Sequence, residues 1–180
     1  MAEGGAVLVL ESERHARNRG AERYAVLLGQ SSTSEAYNVV SPRPKGTGMA
    51  AAMELALNDA GVSSDQVDYV SAHGTSTPLN DAAETAAMKS VFGDRAYKIP
   101  MSSQKSMIGH SIGATSAIEA AVTALSIRNR VATPTINYRE PDPECDLDYV
   151  PNEARECKID VALSNAFGFG GHNCCLVMGA

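Results

Sequence analysis

From Ile112 to Ile127 every residue but one is apolar or small and uncharged, and Glu119 is the exception. A helix that is apolar all round has to be covered all round. This stretch therefore calls for layers of structure on more than one side. A tight polar turn, Lys105-Ser106-Met107-Ile108-Gly109-His110, leads into it, and Arg128, Asn129 and Arg130 mark its return to water. Two further polar clusters punctuate the chain: Ala72-His73-Gly74-Thr75-Ser76-Thr77-Pro78, and Asn165-Ala166-Phe167-Gly168-Phe169-Gly170-Gly171-His172-Asn173.

Strand-like and helix-like patterns alternate around these clusters. Short apolar runs at 6–10, 24–28, 67–72, 98–101, 160–163 and 173–178 read as strands. The first is fully apolar and needs neighbours on both sides, which points to structure outside the chain. Residues 11–19 read as a helix with Gly20 just past its end, and Gly29 is expected to stop the second strand. Met49, Met53, Ala56 and Ala60 share one face of a helix over 47–60, which Gly61 ends. Thr77 and Pro78 have the residue types of an N-cap and N1, with Asp81 in the first turn of a helix reaching about Val91. Residues 31–48 and 133–152 are rich in turn residues and read as loop. The class is α/β, and in open α/β sheets ligands bind at strand ends, where all three clusters lie.

Each cluster has chemistry beside a plainer structural role. His110 stands at the positive end of a buried helix, which disfavours imidazolium. As a neutral ring it either donates to a carbonyl gaining negative charge or caps its own helix, and position alone does not choose. His73 ends a strand and is followed by Gly74, where backbone can approach a ligand, and by three hydroxyl residues suited to amides and hydroxyls. Thr75 by itself reads first as a turn residue. Lys105 and Glu119 are isolated charges beside an apolar helix, so each needs a partner, the other or His110. The Phe167–Gly171 run reads as a turn able to aim amide N–H groups at an oxyanion. It lacks the order of a phosphate loop. His172 enters the last strand and is assigned a structural role.

Other features exclude whole classes. The formal net charge of −6 argues against nucleic acid and anionic membranes as partners. No apolar run reaches bilayer length, and no targeting segment is expected at the start. Cys145, Cys157, Cys174 and Cys175 form no CxxC pair, and no paired-ligand spacing appears, so no metal is expected. Reduced thiols fit a cytoplasmic setting, or a plastid or mitochondrial one in a eukaryote.

Taken together and in order, the three clusters resemble the C-terminal part of the β-ketoacyl-[acyl carrier protein] synthases, the elongating type II condensing enzymes of fatty-acid synthesis and their polyketide relatives. Gly5–Glu11, Ser41-Pro42, Pro134–Asn137 and Asp146–Pro151 add to the likeness. It covers essentially the whole chain.

The resemblance implies a thiolase-like fold: the C-terminal half, a mixed five-stranded sheet covered by helices, plus the last strand and helix of an N-terminal half. Residues 1–20 would be the tail of that N-terminal half, and 21–180 the C-terminal half. It implies an acyltransferase that performs a decarboxylative Claisen condensation of an acyl-enzyme with a malonyl carrier protein. His73 and His110 would bind the malonyl thioester carbonyl, with Lys105 fixing His110 and Glu119 as the buried partner of Lys105. Thr75 and Thr77 would contact the phosphopantetheine arm. Phe167 and Gly168 would flank the acyl site beside a cysteine that none of the four here matches. No cofactor is implied beyond phosphopantetheine on the acyl carrier protein. Partners would be that carrier, the missing N-terminal half, and a second copy in a homodimer. The chain alone is expected to be inactive. The other role open to such a chain is that of a non-catalytic, chain-length-factor-like subunit of another condensing enzyme.

Overall fold

The structure, a computed structural model, describes residues 1–180. Its centre is a five-stranded mixed sheet in the order β1-β7-β6-β2-β3. The strands are β1 (Val26–Ser34), β2 (Tyr69–Ser71), β3 (Met101–Ser102), β6 (Val161–Gly168) and β7 (His172–Gly179). The hairpin β6–β7 and the pair β7–β1 are antiparallel, whereas β2 runs parallel to both β6 and β3. Two short strands, β4 (Val131–Ala132) and β5 (Arg155–Glu156), pair separately.

Side chains alternate across the sheet, so each strand feeds two cores. On one face Val70, Leu163, Cys175 and Val177 pack with α2 (Thr47–Ala60) and α3 (Pro78–Phe92). On the other, Tyr69, Ala162 and Met178 pack with Ala124 and Ile127 of α5 (Thr115–Asn129). The predicted apolar stripe of α2 lies in the first core, with Met49, Met53 and Ala56 buried and Gly61 in the left-handed region at its end.

Several expectations are corrected. Residues 6–10 form no strand, and Val7 is 94% exposed, because no strand stands beside them to pair with. The helix after them does form, as α1 (Glu13–Asn18), with Gly20 in the left-handed region. Gly29 does not stop β1, which continues to Ser34 with a register shift between Leu27 and Gly29. A Cβ at Gly29 would lie 2.5 Å from the backbone N of Ala60, so glycine there lets α2 sit directly on the strand. The third cluster is largely strand: β6 runs through Gly168, and only Phe169–Gly171 turns. The alternation that buries Leu163 and Asn165 simply carries on to Phe167. The α5 helix is covered on one side only within this chain, leaving Leu125 exposed, as is Ile112 in the turn before it. No helix is long and apolar enough to cross a membrane.

Candidate active site

The parallel strands β2 and β3 end side by side, and the site grows from their C-terminal ends. His73 follows β2. The short helix α4 (Lys105–Ile108) follows β3 and delivers Lys105, then His110. The rings of His73 and His110 stand 5.7 Å apart, edge to face, on the wall of one cavity of about 860 Å³. Lys105, Glu119 and Phe167 line the same cavity, and Phe167 packs 5.9 Å from the His73 ring. The three clusters meet as expected.

The two rings are held differently. His110 Nδ1 accepts from the backbone N–H of Ile112 at 3.2 Å and lies 3.0 Å from Thr115 Oγ1. An Nδ1 that accepts leaves the ring proton on Nε2. His73 is 8% exposed, and its Nδ1 is buried without a partner, so nothing in the protein pins its tautomer. Burial, reinforced by the Lys105 charge and then by His110, pushes the His73 imidazole down to about 3. Burial also lowers His110, followed by Lys105 and the N-terminal ammonium. Both rings are therefore neutral near pH 7, and neutral imidazole is a hydrogen-bond donor that adds no charge of its own.

Lys105 Nζ lies 2.6 Å from Glu119 Oε1, with side chains 5% and 1% exposed. Burial raises the Glu119 carboxyl to about 7, and Lys105 pulls it back. Glu119, not His110, is thus the partner of Lys105. Orientation of His110 falls instead to Thr115 and the Ile112 backbone.

Thr75 and Thr77 line the cavity and share a 2.9 Å hydrogen bond between their hydroxyls. Thr77 occupies the N-cap position of α3 without making a cap bond. Asp81 accepts from Ser76 N at 3.2 Å, which ties the turn before the helix to its first turn. Gly168 lies exposed at the end of β6, and His172 opens β7, also exposed.

Sequence reasoning missed Glu84 and Asn165. The Glu84 carboxylate accepts from the backbone N–H groups of His73 and Gly74, each at 2.9 Å, and from Asn165 Nδ2 at 3.2 Å. One buried acid thus grips the turn that carries His73. Its signal was present as a lone acid on a helix face beside Ala83, Ala87 and Met88. Gln104 was missed as well. It joins Ser71, Tyr69 and Thr133 at 2.9–3.1 Å, tying the end of β2 to the start of α4.

Comparison with known proteins supplies the lineage of this arrangement. The pattern of the beta-ketoacyl synthase C-terminal domain matches residues 24–139. The chain belongs to this family. It is 49% identical over 99% of its length to the 3-oxoacyl-[acyl-carrier-protein] synthase 2 of Coxiella burnetii, and 50% identical over 98% to that of Staphylococcus aureus. It spans 43% of each of those relatives. Among solved structures it superposes with a TM-score of 0.93 and 45% identity on a type II PKS acyl-carrier protein in complex with its ketosynthase, covering 94% of this chain and 42% of that one. The ishigamide ketosynthase/chain length factor gives a TM-score of 0.90 at 41% identity, covering 94% and 41%. The thiolase-like ketosynthase fold implied by the resemblance is the fold observed.

Proposed function

We propose that this chain is the carbonyl-binding half of a β-ketoacyl-[acyl carrier protein] synthase. The observation that carries the reading is the pair of neutral imidazoles on one cavity wall, one with its tautomer set by the protein. A thioester oxygen placed between them receives two hydrogen bonds, and these strengthen as it becomes an enolate oxygen. Loss of CO2 from a malonyl thioester leaves its electron pair in that enolate, whose carbon then attacks an acyl thioester; the C–C bond forms, the acyl C–S bond breaks, and the thiolate departs. Preorganised donors of this kind contribute on the order of 3 kcal/mol each to a transition state. The Lys105 charge, held in place by Glu119, adds to burial in keeping both rings neutral.

Thr75 and Thr77 contact the phosphopantetheine arm of the carrier, which brings the substrate, and no other cofactor takes part. Phe167, packed against His73, and Gly168 border the acyl group. The acyl-bearing cysteine comes from outside the 180 residues. Cys174 borders the cavity but sits within β7, with its Sγ 3.5 Å from Ser32 Oγ. Residues 1–20 belong to the half that supplies the missing cysteine, and the assembled enzyme is a homodimer in the cytoplasm.

The test is condensation of an acyl group with malonyl-carrier protein. The chain alone gives no β-ketoacyl product, and the chain assembled with a cysteine-bearing N-terminal half gives it. His73→Asn or His110→Asn in that assembly lowers the rate at least ~100-fold. Product from the chain alone overturns the division of labour. Full activity in both variants transfers the chain to the chain-length-factor role, which needs neither imidazole.

A further inference from the structure

We infer that Thr115 is the positioning residue for His110: its hydroxyl clamps the imidazole so that Nε2–H is turned into the cavity. Thr115 is 2% exposed and opens α5, five residues after His110. Its Oγ1 accepts from the backbone N–H of Ser111 at 2.9 Å and lies 3.0 Å from His110 Nδ1. One lone pair is thus taken by Ser111, and the hydroxyl proton remains to be placed. The candidates are His110 Nδ1 and Ser111 Oγ, the latter at 3.2 Å. Nδ1 is the nearer. It also already accepts from the N–H of Ile112, so it carries no proton of its own, and the hydroxyl shares its one lone pair in a three-centre bond.

The geometry separates two tasks. The Ile112 N–H selects the tautomer, since an Nδ1–H would face it proton to proton. A single bond of 3.2 Å still lets the ring swing about its axis. A second bond to the same nitrogen, from a side chain locked between Ser111 and the helix, removes that freedom. Nothing else nearby can do this. Lys105 is engaged with Glu119, the His73 ring meets His110 edge to face, and His73 Nδ1 has no partner. The charged and titratable groups bearing on the His110 ring are Lys105, His73 and the Met1 ammonium, and none of them is hydrogen-bonded to it.

This inference rests on the condensing role for what the clamp is used for, but the clamp itself is read without any activity. The experiment is imidazole nitrogen NMR on the full chain labelled with 15N-histidine, comparing wild type, Thr115→Val and Thr115→Ser. Valine keeps the shape and removes the hydroxyl, whereas serine keeps the hydroxyl. Wild type and T115S should show His110 protonated on Nε2, with the same Nδ1 shift. In T115V the Nδ1 signal should move from the wild-type position. Ile159→Ala, a truncation in the second core outside the three clusters, controls for loss of stability alone and should leave the His110 signals in place. An unmoved Nδ1 signal in T115V overturns the inference, as does a movement that T115S shares.

In the assembled synthase T115V should also lower kcat by about 5-fold with KM unchanged, the worth of roughly one neutral hydrogen bond. A wild-type assembly with no condensing activity counts against the proposed function, while the nitrogen shifts still decide the clamp.

Discussion

Replacing Glu84 with alanine tests the site at its foundation. The carboxylate is 1% exposed and accepts two backbone N–H groups, from His73 and Gly74, besides the amide of Asn165. Alanine leaves both N–H groups buried without an acceptor, and each such loss costs about 1–3 kcal/mol. One term opposes this. Burial raises the Glu84 carboxyl above its usual range, against the hydrogen bonds from Gly74 and His73, so removing the charge recovers part of the desolvation penalty. The net expectation is a loss of about 2–4 kcal/mol, which at a typical urea slope of about 2 kcal/mol/M lowers the unfolding midpoint by ~1–2 M. Glu84→Gln keeps one acceptor and turns an NH2 toward the other N–H, so it should fall between alanine and wild type. Urea unfolding followed by circular dichroism reads all three. An alanine variant within 0.5 M of wild type, or a glutamine variant less stable than alanine, would refute the account of how the His73 turn is held.

Four other outcomes follow from the same contacts. Below its ordinary value of 6.5 a histidine in the unfolded chain takes up a proton, while native His73 resists until about 3, so acidification across that window destabilises the native state. His73→Asn should therefore gain on wild type by ~1.4 kcal/mol for each pH unit below 6.5. Glu119 has the opposite sign: its carboxyl lies at about 7 against an ordinary 4.5, so its contribution to stability grows as pH falls from 7 to 4.5 and masks the histidine in the wild type. A parallel pH dependence of the two proteins in urea titrations contradicts this. Lys105→Met leaves Glu119 buried and unpaired and should cost about 3–5 kcal/mol, most of it restored in Lys105→Met/Glu119→Leu; a double variant no more stable than the single one argues against a buried pair. Gly29→Ala drives a Cβ into the Ala60 backbone, and should lower stability by about 1–3 kcal/mol, visible as a drop in Tm. The exposed apolar residues of 7–10 with Ile112 and Leu125 should make the isolated chain associate, and a monodisperse monomer by light scattering speaks against a missing covering half.

Local signals told true wherever the chain settles its own local geometry. The α2 helix begins and ends where its apolar spacing and Gly61 place it, and Pro78 opens α3. His73, Lys105, Glu119 and His110 stand out from sequence because charged or polar residues beside apolar runs need a reason to be there. The same logic reached too far at residues 6–10, where apolar composition met no partner strand. It stopped short at Gly29, because a bulge and a strand end look alike without the neighbouring helix. Glu84 passed as an ordinary helix residue, since its donors from His73, Gly74 and Asn165 lie outside its helix.

By itself the amino-acid order determined the long helices, the α/β alternation, and which polar side chains stood beside apolar runs and needed partners. Periodicity, caps and turn residues act over a few positions, so they are written locally. Tertiary structure alone decided that two rings from different strand ends stand 5.7 Å apart, that Glu119 and not His110 takes Lys105, and that Thr115 meets Nδ1. Those facts depend on sheet order and on competition among donors and acceptors brought together from distant parts of the chain. No short stretch of sequence contains that information, because hydrogen bonds choose partners by distance and direction in space.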